Sequence, residues 1–174
     1  VKFISTYIPK ENILILTNKN NKGKDGWQPS LKKYATKNKF KIINLKNLYH
    51  IDNLVFISIE YETIINTKKF SSKELFNFHF SLLPKYRGCH TNFFQIYNGE
   101  KFSGVTLHKI DNGIDTGPII DQLKFPIYKN TNAFKNYHNL MNTSLKLLKK
   151  NFKKILNFNY NTRRQLLKKG SYYS

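Results

Sequence analysis

The chain has 174 residues, 40% of them hydrophobic and 15% aromatic, with 30 Lys and Arg against 10 Asp and Glu for a formal net charge of +20. That length carries one domain with a real core and is short for two, and the apolar content excludes a disordered chain. No run of about 18 apolar residues suggests a transmembrane helix, no signal peptide is visible, and the single Cys89 excludes an internal disulfide and suits a reducing, cytoplasmic setting. The positive charge accompanies abundant Asn and Ile along the whole chain, as AT-rich coding produces, instead of forming one compact patch. It therefore weighs only weakly for a nucleic-acid or phosphorylated partner.

In chain order, residues 2–9 read as the tail of a helix and 13–16 (ILIL) as a short buried strand, followed by turn residues from Asn18 to Gly26. Leu31, Tyr34 and Ala35 give 29–39 helical spacing, with Ser30 near its start. Strands are predicted at 41–45, at 54–59 (uniformly apolar, as for a strand covered on both faces), at 75–80, at 104–110 and at 119–127. A short helix at 91–97 ends on Asn98-Gly99. A long helix is predicted from about 132 to 157, with an apolar stripe through Phe134, Tyr137, Met141, Leu145, Leu148, Phe152 and Ile155. Thr131 or Asn130 can cap it, and Lys149, Lys150, Lys153 and Lys154 favour its C-terminal end. Strands alternating with helices predict a single α/β domain over 1–174, with a mostly parallel twisted sheet flanked by helices.

The strand FNFHF alternates Phe76, Phe78 and Phe80 with Asn77 and His79. One face is therefore apolar, and the other carries an amide and an imidazole. A proline-interrupted loop, SLLPKYRG, follows at the carboxyl end, where open α/β sheets collect their chemistry. The second unusual stretch is DNGIDTGPII, residues 111–120, two aspartates bracketing a glycine turn. Such a loop can aim backbone groups and a carboxylate at a ligand. His79, His90 and His108 lack a compact ligand spacing, so no metal is expected.

Taken together, N-x-H-x-SLLP-x-YRG, then GVT, then D-x-G-I-D-T-G resemble the folate-dependent formyltransferase family, from about residue 12 to the end. The resemblance implies a Rossmann-like formyltransferase fold, with the opening strand apparently missing before Val1 and both ends expected to be incomplete. It implies Asn77, His79 and Asp115 as the catalytic residues. It implies 10-formyltetrahydrofolate as co-substrate, its pterin between Tyr61, Ile64 and Ile65 on one loop and Asp111, Asn112, Gly113 and Ile114 on another. Asn77 and His79 would stabilise the tetrahedral oxyanion, His79 would take the amine's proton, and Asp115 would orient the ring, hold a water or relay that proton.

The stretch CHTNFFQIYNGE and the terminal GSYYS look more similar to sugar N-formyltransferases acting on nucleotide-linked 4-amino-4,6-dideoxy sugars, dTDP-amino sugars among them, as used in lipopolysaccharide O-antigen biosynthesis. Lys85, Tyr86 and Arg87 then become the candidates for binding the sugar nucleotide, arginine suiting phosphate geometrically. Tyr172, Tyr173 and Trp27 are candidates for stacking on a base or for core packing. The resemblance allows a homodimer. Methionyl-tRNA formyltransferase, with a tRNA partner, is the alternative, and an inactive RNA-binding module a further one.

Overall fold

The alternation read from the sequence becomes the central layer of the molecule. The computed structural model describes residues 1–174. Its elements are β1 (Leu14–Ile15), α1 (Leu31–Lys37), β2 (Lys41–Ile42), β3 (Phe56–Ile59), β4 (Leu75–His79), β5 (Arg87–Gly88), α2 (Thr91–Tyr97), β6 (Phe102–Lys109), β7 (Ile119–Pro126), α3 (Ala133–Leu156) and β8 (Tyr172–Tyr173), with short 3-10 turns between them. The main sheet has the order β3-β4-β6-β7, and β1-β2 and β5-β8 form separate two-stranded pairs. No helix is long and apolar enough to cross a membrane.

The layered α/β class stands, but the main sheet is mixed where a mostly parallel one was expected. β3 and β4 run parallel; β6 is antiparallel to both β4 and β7. For β6 and β7 the reason lies in the connection. A parallel neighbour needs a crossover of a dozen or more residues, and only the tight turn DNGIDTGP separates β6 from β7.

Parity on β4 sorts its side chains as predicted. Phe76, Phe78 and Phe80, all nearly inaccessible, join Val105 and Leu107 of β6 beneath α3. Leu75 points the other way, into a second cluster with Leu48, Phe56, Ile65 and Phe70. Asn77 and His79 share that second face, so α3 supports the strand from behind while the polar groups sit in front.

α1 is capped as its sequence suggests, the Ser30 hydroxyl accepting from the Lys33 N–H. On α3 the cap is Asn132, whose side chain accepts from the Lys135 N–H at 2.9 Å, rather than Thr131 or Asn130. The Thr131 hydroxyl instead accepts from the Tyr128 N–H. The buried face of α3 also departs from the predicted stripe. Tyr137, Leu148, Phe152 and Ile155 face inward, but Phe134, Met141 and Leu145 are exposed, and Leu140, Ser144, Leu147 and Asn151 take the inner positions. Small and polar residues suit this face because each finds a partner. Ser144 donates to the Leu140 carbonyl, and Asn151 donates to Asp121 on β7.

The chain after α3 turns back over the front of the sheet. Arg163 exchanges both backbone hydrogen bonds with Ile119, each 2.8 Å, and β8 pairs with β5 in the loop that follows β4.

Candidate active site

β4 and β6 deliver the central groups by register. Asn77 lies opposite His108, and His79 opposite Thr106. Since the strands alternate faces, Asn77, His79 and His108 all project from the same side. Asp115 arrives from the β6–β7 turn. Although 38 residues separate it from Asn77 in sequence, the Asn77 amide donates to its Oδ1 at 3.2 Å, and its Oδ2 lies 3.4 Å from His79 Nδ1. The three residues read from the two motifs therefore converge in space.

The turn that brings Asp115 in is tightly built. The Asp111 carboxylate accepts from the Gly113 N–H and the Thr116 hydroxyl. A Cβ on Gly117 would collide with the Lys109 carbonyl. Asp115 itself has φ of +53°, in the left-handed region that aspartate tolerates better than most residues. Glu60 after β3 and Tyr86 and His90 after β4 also have positive φ. Four of the six non-glycine residues with positive φ thus follow β3 or β4 or sit in this turn, the other two being Lys39 and Phe158, and functional sites commonly store such strain.

His79 is 7% exposed. Its Nε2 donates to the Tyr86 carbonyl at 2.6 Å, while Nδ1 faces Asp115. Its pKa lies below the ordinary imidazole value because burial, the largest influence, and His108 lower it by more than the Asp115 carboxylate and the Tyr86 carbonyl raise it. Both nitrogens thus face acceptors, an arrangement that stabilises the imidazolium against its own desolvation.

Burial alone would raise the Asp115 pKa. The His108 hydrogen bond, the His79 charge and the Gly88 N–H, which donates to Oδ2 at 3.0 Å, outweigh that and hold it at about 2. Asp115 is accordingly a stable carboxylate and a poor reservoir for a proton at neutral pH. It is better suited to orienting the ring and balancing its charge.

His108 is the residue that the motif reading passed over except as a metal ligand. It is 2% exposed. Its Nδ1 donates to the Lys109 carbonyl at 2.7 Å; a bare Nε2 accepts from the Asn77 amide at 3.3 Å, whereas a protonated Nε2 donates to Asp115 instead. Nε2 also lies 3.5 Å from Asp115 Oδ1. Its signal was present in GVTLHK, where Thr106 and His108 fall on one parity inside an apolar strand. This packing corrects the simple picture of Asn77 as a free donor. Its amide is shared between Asp115 and His108, so donation to a ligand requires exchanging one of these partners. Both contacts are looser than tight charge-assisted bonds, as catalytic contacts commonly are before a substrate tightens them.

The two loops expected to hold a pterin do meet. The Thr67 hydroxyl donates to Asn112 Oδ1 at 2.8 Å, joining the segment after Tyr61 to the Asp111–Ile114 turn. Within them the residues divide. Ile64 is 74% exposed and Ile114 is 41% exposed, whereas Ile65 is committed to the second core cluster, with Tyr61 packed against it. Ile65 therefore supports the loop from beneath.

In the loop after β4, the Leu83–Pro84 peptide is cis. The Tyr86 side chain is buried. Its hydroxyl donates to Glu100 and accepts from Asn98, and its ring stacks on Tyr173 at 5.1 Å. Its contribution to the front of the sheet is the carbonyl that His79 holds. Lys85 is exposed near Glu100. Arg87 makes no ion pair, and its Nε is buried without a partner. Tyr173 is sandwiched between Tyr86 and Phe94, so it serves as packing, while Tyr172 is half exposed. Trp27, mostly exposed, contacts Tyr137 edge-on. No group of three or more His, Cys, Asp or Glu is arranged to hold a metal ion.

A family model described as formyl transferase matches residues 9–150. Two solved structures share nearly all of the chain. WlaRD, described as a sugar 3N-formyl transferase in the presence of dTDP and 5-N-formyl-THF, is 45% identical with a TM-score of 0.97, covering 99% of this chain and 64% of that one. An N-formyltransferase from Helicobacter canadensis in complex with folinic acid and dTDP-3-aminofucose is 43% identical with a TM-score of 0.97, covering 99% and 65%. Among curated proteins, the bifunctional polymyxin resistance protein ArnA of Wigglesworthia glossinidia brevipalpis is 36% identical over 138 residues, 73% of this chain and 21% of that protein. The chain thus spans about a fifth of that relative's length and just under two thirds of either structure.

Proposed function

The chain belongs to the formyl transferase family, and from that premise we propose that it moves a formyl group from 10-formyltetrahydrofolate to the amine of a dTDP-linked 3-amino sugar. The motif reading favoured a 4-amino-4,6-dideoxy sugar. The shift to the 3-position is supported by the two structures at 43–45% identity, both described with 3-position sugars or chemistry. The reaction belongs in the cytoplasm, where folate and sugar nucleotides meet, and its product suits O-antigen assembly.

The observation that carries the reading is the convergence of Asn77, His79 and Asp115 at the strand ends. The neutral amine attacks the formyl carbon, a C–N bond forms, and the carbonyl π pair moves to oxygen. An Asn77 N–H, released from Asp115 or His108, donates to that oxyanion; one such donor contributes about 3–4 kcal/mol in a transition state. His79 takes the amine's proton, and the Asp115 carboxylate stabilises the resulting imidazolium. Collapse breaks the bond from carbon to N10, which leaves with the proton that the His79 imidazolium returns. Ile64, Ile114 and the Asp111–Gly113 turn hold the pterin, while Arg87 and Lys85 meet the diphosphate. Arg87 suits that role because its guanidinium has no acidic partner within the protein.

The test is purified protein with 10-formyltetrahydrofolate and four acceptors: dTDP-3-aminofucose, a dTDP-4-amino-4,6-dideoxy sugar, charged initiator tRNA and glycinamide ribonucleotide. Formylation of the 3-amino sugar is expected at a kcat/KM at least tenfold above the others. Arg87→Ala should raise the KM for the sugar nucleotide about tenfold, the loss of roughly one charge-assisted contact, with the folate KM little changed. Formylation of the tRNA alone would overturn the acceptor assignment.

A further inference from the structure

We propose that Gln165, in the segment that returns over the sheet after α3, is a positioning residue that holds Asp115 in its working conformation. This rests on the reading of Asp115 as part of the transfer site.

The Gln165 Nε2 donates to two main-chain carbonyls of one turn, Asp115 O at 2.9 Å and Gly117 O at 2.7 Å. These are the two positions at which the turn has least freedom, a left-handed aspartate and a glycine pressed against the Lys109 carbonyl. Asp111 braces the first half of the turn from within, Thr67 meets Asn112 from outside, and Asn77 and the Gly88 N–H hold the Asp115 carboxylate itself, but none of these bonds reaches the main-chain carbonyls of Asp115 and Gly117. Gln165 therefore supplies an external anchor to the half of the turn that carries the carboxylate. It does so while its own Oε1 stays buried without a partner. A side chain whose oxygen is unsatisfied and whose two N–H groups are both used is oriented by its donors.

Gln165 is itself fixed on both sides. Two residues before it, Arg163 exchanges backbone hydrogen bonds with Ile119, and its guanidinium donates to Gln122. Further on, the Ser171 hydroxyl accepts from the Tyr86 N–H at 2.9 Å, and the Ser171 carbonyl accepts from the Arg87 N–H at 2.9 Å. The tail thus ties the loop whose Tyr86 carbonyl holds His79 to the turn that carries Asp115. Gln165 lies between the two ties.

The test compares Gln165→Ala, Gln165→Glu and Gln165→Lys with wild type and Asp115→Asn in two measurements. The first is the titration of the His79 imidazole by NMR on protein with labelled histidine, the signal assigned by its loss in a His79→Gln variant. It needs no acceptor, so it distinguishes failure of this inference from failure of the proposed reaction. Gln165→Ala, which cannot donate to either carbonyl, should let Asp115 drift, so that His79 titrates at lower pH, toward its position in Asp115→Asn. Gln165→Glu and Gln165→Lys bring charges of opposite sign that move the titration directly, so these two are read through kcat, where Lys keeps the donors and Glu loses them. The second is steady-state kinetics. A misplacement of about 1 Å costs about 10²-fold, so kcat should fall by about that factor in the Ala and Glu variants, with the folate KM within threefold and Lys recovering most of the loss. An unchanged His79 titration in Gln165→Ala overturns the inference, whether or not kcat falls. So does a kcat that falls equally in all three variants, which would mark a structural role alone. If Gln165→Ala fails to fold, the Glu and Lys variants decide the matter by their difference.

Discussion

His79→Ala is expected to lower kcat by about 10³-fold, within the range that a positioned general base contributes, while the affinity for the folate changes by less than about threefold. The size follows from where the ring stands. His79 is buried, one nitrogen is committed to the Tyr86 carbonyl, and the other faces the Asp115 carboxylate. His108 faces the same carboxylate, but its second nitrogen is also engaged by the Asn77 amide at 3.3 Å, so it does not stand in for His79. The folate loops are joined to each other through Thr67 and Asn112 and meet the ring only through Asp115. The variant also opens a small cavity, whose cost is read separately as a lower melting temperature. Equilibrium folate binding with single-turnover kinetics makes the distinction. A kcat within tenfold of wild type would remove His79 from the chemistry.

Asp115→Asn should show two effects with different pH signatures. At neutral pH, kcat falls by about 10²- to 10³-fold, because the imidazolium formed during transfer loses its counter-charge. The acidic limb of the kcat profile moves to lower pH, since the carboxylate is what raises the His79 pKa. Stability gives the second signature. The folded-state Asp115 titrates at about 2, below its ordinary 3.8. A carboxylate depressed in this way contributes stability above its unfolded pKa and loses it as pH falls through the folded one. Wild-type stability should therefore decline between about pH 4 and pH 2, with this group accounting for about 2 kcal/mol of the decline. The asparagine variant should lack that portion of the slope. Urea titrations at several pH values measure it, and parallel slopes for the two proteins would contradict the assignment.

Much of this was legible in the sequence for a simple reason. A strand alternates faces, so FNFHF already separates a core side from a polar side, and the structure keeps that division from Leu75 to Phe80. Motif order carried the rest of the cluster, since Asp115 falls beside His79 only if the GVT strand folds back on β4. The antiparallel return of β6 and β7 was missed although its cause, a turn too short for a crossover, stood in DNGIDTGP. The inner face of α3 was misassigned because Ser144 and Asn151 look like surface residues until their partners, Leu140 and Asp121, are known. Tyr86 was read as a ligand contact from its place in the loop, yet its buried hydroxyl is spent on Glu100 and Asn98. His108 and Gln165 act through partners 31 and about 50 residues away, separations for which one sequence offers no local pattern.

The most direct measurement is a crystal structure of the protein with an unreactive folate carrying an N10 acyl mimic and with dTDP-3-aminofucose. The expected result has the acceptor amine within hydrogen-bond reach of His79 or Asp115, about 2.6–3.2 Å, with the acyl carbon on its other side and the acyl oxygen facing Asn77. An amine bound elsewhere on the sheet, with Asn77 still held by Asp115 and His108, would contradict the account.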